Sequence, residues 1–454
     1  MTINAHHSLS MQFKKVVGFL LCISLTSLLL IYENHMRTNA IAGVYFHGIP
    51  SESMMQTISI RDLINEPLTS IWYLHIQPPI FDFLRMVLGN IFWDGDYLST
   101  QYQVDTGLYI LWAVIYGLMS LVMYSWLVKL TGIWFGVIGT IIFSASPAIL
   151  LYSTTLETTL LSSFLIFWFF YLTWKIKNNE SVSTLLLSVS FLLLFFTRSI
   201  FQWPWIIIIG VSLLLIGYPK KKLFKFILIT SVVISLFLFK QYYLFGITST
   251  SSFTGMNLCR SLAVCQQHVI DEKTIEHSNP KVSVLINKTK SNNSENFNNS
   301  VHLELNKLYI NDYVFKLKHM SFQDFISMYK TNLLLYMEPS SNYFSSNQIL
   351  NSIPIRWKSY SEKLMSAPVL PIVLIFFSMH YFLRTPSKSL IKDIGFSFPI
   401  FIIAVISIVF ESGENMRFKF FIEPLIYLFI SSQTYYLITF YFKKYQIAKP
   451  TSQH

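Results

Sequence analysis

Charge is what this sequence has least of. Only 13% of its 454 residues are Asp, Glu, Lys or Arg, whereas 53% are hydrophobic. A soluble globular domain carries roughly 25% charged residues, so this chain holds about half the charge needed to coat a water-facing surface. A soluble, disordered or fibrous protein is excluded. Cysteine is scarce as well, and three residues are too few for a disulfide framework. Cys22 lies in an apolar stretch that leaves it inert, while Cys259 and Cys265 share one polar segment and could pair in an oxidising compartment. No His/Cys/Asp cluster has ligand spacing, so no metal is expected. Neither a P-loop nor a dinucleotide fingerprint occurs, which argues against a nucleotide donor or cofactor held by those motifs. No internal repeat is evident, which counts against inverted-repeat transporters.

Acidic residues are outnumbered, with 23 Asp and Glu against 34 Lys and Arg, a net charge of +11. In a soluble protein that excess would suggest nucleic acid. Here the preference of Lys and Arg for cytoplasmic loops of membrane proteins explains it better, and no nucleic-acid partner is expected.

Long apolar runs and aromatics (40 Phe, 25 Tyr and 10 Trp) are what the chain has in abundance. A spanning helix needs ~20 mostly apolar residues. The runs at 16–32, 107–128, 130–151, 158–174, 181–197, 199–218, 226–239 (extending to 245), 364–383, 394–410 and 424–442 meet that rule. The expected fold is an all-α polytopic membrane protein with roughly ten transmembrane helices. The first run is too long, and too isolated from any A-x-A site, to read as a removed signal peptide, so it is kept as an anchor.

With the N-terminus in the cytoplasm, alternation places Lys14, Lys15, Lys129, Lys175, Lys177, Lys220, Lys221, Lys222, Lys225, Arg384, Lys388, Lys392, Lys443, Lys444 and Lys449 inside. Only Glu180 and Asp393 join them as acids. The opposite orientation would export that whole basic set, against the positive-inside bias. The chain then divides into a cytoplasmic N-terminus and first helix (1–32), a first extracytoplasmic loop with surface helices (33–106), helices two to seven (107–245), a large extracytoplasmic loop (246–363), and three last helices with a cytoplasmic C-terminus (364–454). Residues 80–92 are amphipathic and suit the membrane surface. A stretch rich in Asn, Ser and Lys, 287–300, reads as a mobile tip. Its sequons at Asn287, Asn292 and Asn298 are poor glycosylation signals in so Asn-rich a stretch. Ser321-x-x-Asp324 is a capping box opening a helix through Tyr336.

Charges near spans are costly and need a reason. In this topology the unusual polar residues collect on the outer side: Glu52, His75, Gln77, Asp94, Asp96, Glu157, Arg198, Lys240, Glu411, Glu414, Arg417, Lys419 and Glu423. They sit at helix ends or in the first loop, where a cleft half in lipid and half in water can form. Plainer readings stand beside this one. Glu52 reads also as a solvated loop charge, and His75 as a capped interfacial histidine. Trp93-Asp94-Gly95-Asp96 reads equally as a turn. Glu157 can cap the N-terminus of its helix, and Glu414 can pair with Arg417 three residues on. Arg198, an outside cation, runs against the orientation bias, and a bound anion accounts for it better.

One segment carries a resemblance. Tyr73-Leu74-His75-Ile76-Gln77-Pro78-Pro79-Ile80 resembles the H-x-H-P-P-L segment that ends the first outer loop of many GT-C superfamily glycosyltransferases, among them protein O-mannosyltransferases and the aminoarabinose transferases that modify lipid A. The following stretch 81–92, the pattern Ser146-Pro147…Leu150-Leu151-Tyr152-Ser153…Glu157, and Thr197-Arg198 at an outer helix end are similar too. So is Gly413-Glu414-Asn415-Met416-Arg417-Phe418…Glu423-Pro424 before the last helix. The likeness covers the N-terminal half in order plus this C-terminal element, and leaves 246–363 unmatched.

The resemblance implies transfer of a sugar from a polyprenyl-phosphate donor to a lipid, glycan or protein acceptor on the outer side, with inversion and without a cofactor. The Ile/Lys/Asn/Phe-heavy usage leans toward an AT-rich bacterium and so toward a bacterial cytoplasmic membrane, with the endoplasmic reticulum as the setting in a eukaryote. It also implies a catalytic carboxylate early in the first loop, where Glu52 stands. This sequence departs from the commoner Asp-containing pattern, which keeps Asp62, Asp94 and Asp96 as substitutes.

The chemistry asks for a base to take the acceptor hydroxyl's proton and for guanidinium groups to stabilise a leaving phosphate. Arg198 and Arg417 are the phosphate candidates, with Lys240 behind them, while His75 and Gln77 orient the first loop or bond to phosphate or sugar. Asp94, Asp96, Glu157 and Glu414 complete the candidate substrate site. This reading expects Glu52, His75, Arg198 and Arg417 to share one lipid-accessible pocket. Three rivals stay open: a transporter or flippase of lipid-linked sugars, a non-catalytic scaffold, and a membrane transferase using a diphosphate-linked glycan.

Overall fold

Backbone N–H and C=O groups in lipid must be satisfied internally, so apolar runs of this length have helices as their natural form. The computed structural model describes residues 2–38, 50–53, 56–262, 298, 301–344, 348–384 and 390–448. Among them the regular elements are all helical. Helix α1 (Thr2–Thr38) precedes a 3₁₀ turn at Ser51–Ser53 and the short helices α2 (Ile60–Asn65), α3 (Pro67–Trp72) and α4 (Ile80–Phe92). A central group follows: α5 (Tyr97–Thr131), α6 (Ile133–Ser144), α7 (Pro147–Ser153), α8 (Thr158–Lys177), α9 (Thr184–Thr197), α10 (Trp205–Leu215) and α11 (Lys220–Phe245). Next come α12 (Thr254–Ser261), α13 (Val301–His319), α14 (Phe322–Tyr336), a 3₁₀ turn at Ser340–Phe344, α15 (Gln348–Ser352) and α16 (Ile355–Leu364). The chain closes with α17 (Val369–Arg384), α18 (Leu390–Val409), α19 (Asn415–Lys419) and α20 (Glu423–Ala448).

Six of these helices are long and apolar enough to cross a membrane: the Gln12–His35 part of α1, then α5, α8, α11, α18 and the Glu423–Phe442 part of α20. Two bent pairs, α6 with α7 at 63° and α16 with α17 at 60°, raise the number to eight if each is one span. The arrangement is compatible with an integral membrane protein. Large apolar side chains stay exposed along these helices, among them Leu28, Trp134, Leu236, Phe239 and Phe401, a surface that suits lipid and not water.

Ten uninterrupted spans are not what the chain forms. The expected runs at 181–197 and 199–218 are helices of 14 and 11 residues, about 21 and 17 Å long at 1.5 Å per residue, short of a hydrocarbon core ~30 Å thick. The run at 130–151 is broken after Ser144, because Ser146 caps a new helix that begins at Pro147, and a residue before proline leaves the helical region. Helix α5 starts at Tyr97, inside the expected first loop. The capping box forms as read, with Ser321 Oγ accepting from the Asp324 amide at 3.1 Å.

Aromatic packing fixes the centre. Trp126 on α5 lies 5.6 Å from Phe167 and 5.4 Å from Trp174 on α8, and 6.3 Å from Phe396 on α18. At the C-terminal ends of α5 and α8, Lys129 pairs with Glu180 at 2.6 Å and Lys177 pairs with Asp393. The two acids read as sharing the basic side are therefore the partners of its lysines. Cys259 is disulfide-bonded and Cys22 is free. Cys265, Asn287, Asn292, Lys388 and Lys449 lie outside the described residues. Asn298 does not belong to a solvated tip: it is buried, accepting from the His75 amide at 3.0 Å and donating to the Tyr73 carbonyl at 3.3 Å.

Helix α1 meets α5 where Gly117 lets the backbones approach, since a Cβ there would stand 1.9 Å from Thr26 Oγ1. Gly117→Val is expected to destabilise the detergent-purified protein by about 1–3 kcal/mol, read as a lower melting temperature, while Gly210→Ala, whose Cβ would meet only Ile227 Cδ1 at an ordinary 3.6 Å, leaves it little changed.

Candidate functional site

The site forms where helices end. Glu157 occupies the N-cap of α8 in an extended conformation (φ −141°, ψ 170°), but its carboxylate makes no bond to its own helix. Trp112 Nε1 of α5 holds its carbonyl at 3.2 Å, and Glu157 Oε2 instead receives Arg417 Nη1 at 3.2 Å. Arg198 follows the last turn of α9, where extended backbone (φ −141°, ψ 131°) turns its side chain to Thr158 Oγ1 at 2.7 Å. Arg417 sits on α19, which the chain reaches through Gly413 at φ +85°, a conformation that other L residues adopt only with strain. Asn415 pins this turn to the end of α18 by donating to the Ser407 and Glu411 carbonyls at 3.0 and 2.7 Å.

These ends enclose a cavity of about 260 Å³ lined by Gln56, Thr57, Gln77, Glu157, Arg198, Asn257, Arg260, Tyr343, Glu411, Glu414 and Arg417, with Phe81, Phe253, Phe344 and Phe418 as apolar wall. Arg417 is its hub: Nη2 meets Glu414 Oε2 at 2.5 Å, Nη1 reaches Tyr343 Oη at 3.1 Å, and the guanidinium stacks over the Tyr343 and Phe418 rings at 4.8 and 5.4 Å. Arg260 Nη2 takes the other oxygen of Glu414 at 3.4 Å. Arg198 lies over Phe418 and Phe421 at 5.5 and 5.6 Å. Four buried atoms on the residues lining this cavity make no hydrogen bond among the described residues: Arg198 Nη2, Arg417 Nε, Glu157 Oε1 and Glu411 Oε1. Two donors and two acceptors are thus unused in a desolvated, charged pocket, where unused polar groups are costly and point to a ligand.

Charge and burial tune the groups. Burial and the neighbouring Arg417 bring Arg198 down to about 10, still cationic at neutral pH. Burial pushes Glu414 upward, but Arg417, Arg260 and Arg198 outweigh it and hold the carboxyl below its ordinary range. Burial, aided by Glu414, raises Glu411 to about 7. Among the described residues no three His, Cys, Asp or Glu side chains are grouped to hold a metal ion.

Of the residues singled out from sequence, Gln77, Glu157, Arg198, Glu414 and Arg417 share the cavity. Glu52 does not line it; its Oε1 accepts from the Ile60 amide at 3.0 Å, at the start of α2. Asp94 and Asp96 are exposed at the start of α5, where Asp96 caps the helix by accepting from the Ser99 amide at 2.9 Å and Asp94 accepts from Ser99 Oγ at 2.5 Å. Lys240 stands on α11 over the Phe237 ring at 5.1 Å and near the Leu74 carbonyl at 3.5 Å. His75 is fully buried behind the cavity, its Nδ1 2.9 Å from Ser252 Oγ and its ring 5.0 Å from Phe245. The His75 segment is a strut: Ser252 N–H donates to the His75 carbonyl at 2.8 Å and Ser251 Oγ to Ile76 at 2.5 Å. Lys419 is also a tie, donating to the Met365 carbonyl at 2.6 Å and to that of Glu338, while Glu423 accepts from Ser340.

Arg260 and Tyr343 enter from the long segment 246–363, where no motif marks them. Beside the cavity lies a buried polar network that sequence reading missed. Arg85 donates to Asp82 at 2.8 Å, to the Ile58 carbonyl at 2.6 Å and to Ser51 Oγ at 3.2 Å; Gln101 bonds Ser51 and Asp105 at 3.1 and 2.9 Å; Gln77 donates to Asp82 at 2.7 Å. Its signal was the Asp82/Arg85 pair, three residues apart on the polar face of the otherwise apolar α4. No family model matches the chain, and no curated protein matches it.

Burial, with His302 and Lys240 nearby, lowers His75 from 6.5 to about 3. Between those values the unfolded chain binds a proton that the folded chain refuses, so stability falls as pH drops through that window. Wild type is expected to lose on the order of 2–4 kcal/mol from pH 6.5 to 4 through this group, and His75→Gln to show a shallower pH slope of melting temperature.

Proposed function

We propose that the chain is an integral membrane glycosyltransferase of the GT-C type, transferring a sugar from a polyprenyl-phosphate donor to an extracytoplasmic acceptor. The observation that carries this reading is the cavity itself, where three guanidinium groups (Arg198, Arg260 and Arg417) meet three carboxylates (Glu157, Glu411 and Glu414) at one end of the helices. Arginine forks suit a phosphate whose charge grows as the sugar leaves. The volume, about 260 Å³, is just below the ~300–1,000 Å³ range of small-molecule sites. It suits a phosphate and a sugar, with the prenyl chain lying outside along apolar helix faces.

The proposed topology has both termini cytoplasmic. Six long helices, two bent pairs and the two short helices α9 and α10 then give 6 + 2 + 2 = 10 crossings. Counting α9 is supported by its flanks: Glu180 pairs with Lys129 at one end of the bundle, and Arg198 lies in the cavity at the other. Two observations support an outer position for the cavity end: the lysine-rich helix ends are opposite, and Cys259, one residue from Arg260, is disulfide-bonded, which suits an oxidising side. The segments between α1 and α5 and between α11 and α16 are then the two extracytoplasmic loops. A bacterial cytoplasmic membrane is the proposed setting.

In this mechanism Arg198 and Arg417 hold the donor phosphate, and a single displacement inverts the anomeric carbon. The proton acceptor belongs to the cavity's carboxylates and not to Glu52, whose oxygen is engaged at α2. The test uses protein in nanodiscs, short-chain polyprenyl-phosphate hexoses as donors and native membranes as acceptor. Arg198→Ala and Arg417→Ala are each expected to lower transfer about 10²–10³-fold, with Lys substitutions recovering little because the planar fork is lost. Undiminished transfer by the double Ala variant would overturn the reading.

A further inference from the structure

Three carboxylates line the cavity, and their surroundings divide the work between them. Glu414 is held by two guanidinium groups, Arg417 at 2.5 Å and Arg260 at 3.4 Å, and a carboxylate so paired is a weak base. Glu157 gives one oxygen to Arg417 at 3.2 Å and stands at the N-terminus of α8, where the helix dipole favours its ionised form. Glu411 is different. It lines the same cavity and is only 5% exposed, yet no Lys or Arg nitrogen among the described residues is within ion-pair distance of it. Its Oε1 makes no hydrogen bond among the described residues, and Asn415 fixes its backbone by donating to its carbonyl at 2.7 Å.

We infer that Glu411 is the proton acceptor for the incoming hydroxyl. This rests on the transferase reading and assigns a catalytic residue within it. As the acceptor oxygen forms its bond to the anomeric carbon, the hydroxyl proton passes to Glu411 Oε1. The bond from that carbon to the phosphate oxygen breaks, and its electron pair leaves on the lipid phosphate beside Arg198 and Arg417. The carboxylic acid then returns its proton to solvent. The charged groups facing Glu411 are Glu414, Arg417 and Arg260; burial and Glu414 raise its proton affinity to about 7, and the two arginines oppose them. A base with that affinity is half ionised near neutral pH and strong enough to take the proton.

The experiment compares wild type, Glu411→Gln and Glu411→Asp in nanodiscs with a short-chain polyprenyl-phosphate hexose. Transfer to native membranes and binding of the donor are read separately across pH 5 to 9. The expected result is a 10²–10⁴-fold loss of transfer in Glu411→Gln, donor binding kept within about threefold, partial recovery in Glu411→Asp, and a wild-type acid limb near pH 7 that Glu411→Gln lacks. Transfer by Glu411→Gln near the wild-type rate, or loss of donor binding together with transfer, would overturn the assignment. If wild type itself transfers nothing from any such donor, the transferase reading fails, and this assignment with it.

Discussion

Arg417 is the point on which the architecture of the cavity depends. Its guanidinium joins Glu157, 260 positions away on α8, to Glu414 of its own turn and to Tyr343 of the segment before α15. Three parts of the chain that share no local sequence relation are thereby fixed against one another. Removing one partner of a buried ion pair commonly costs about 3–5 kcal/mol because the other charge is left uncompensated. An ion cluster of this kind sets position more than it adds stability. The aromatic packing of Trp126 against α8 and α18 supplies the scaffold, and the guanidinium decides where the helix ends come to rest.

A second polar assembly stands against the first. Ser51, Asp82, Arg85, Gln101 and Asp105 bond one another in a region closed to solvent, and Gln77 links that assembly to the cavity wall. The segment carrying His75 lies between this network and the later residues Ser251, Ser252 and Asn298. The carbonyls of Tyr73, Leu74, His75 and Ile76, which would otherwise be stranded in an apolar interior, are all used. The Pro-Pro motif therefore reads best as a rigid joint between the two long segments.

Much of this was legible in the sequence because the membrane makes composition informative. Apolar length located the long helices, and the scarcity of charge made Glu157, Arg198, Glu414 and Arg417 conspicuous enough to be grouped before any coordinates. Helix length was overread at 181–218 because hydropathy measures apolarity and not helix length; the helices there stop at Thr197 and Leu215. Glu52 was misjudged as a cavity group because a motif position does not say where a side chain points, and this one reaches Ile60. Arg260 was invisible for another reason: its meeting with Glu414 spans 154 positions and leaves no periodic trace.

The bridging of Arg417 and Arg260 by Glu414 has a consequence for selectivity. Those nitrogens already hold a covalently tethered anion, so a visiting chloride or inorganic phosphate competes against a partner whose local concentration is fixed by the chain itself. Only a molecule that brings additional attraction, such as a hydrocarbon tail partitioned into the bilayer, can outbid the resident carboxylate. On the proposed reading, a pocket of this design discriminates against the common ions of its surroundings in favour of the amphiphilic donor.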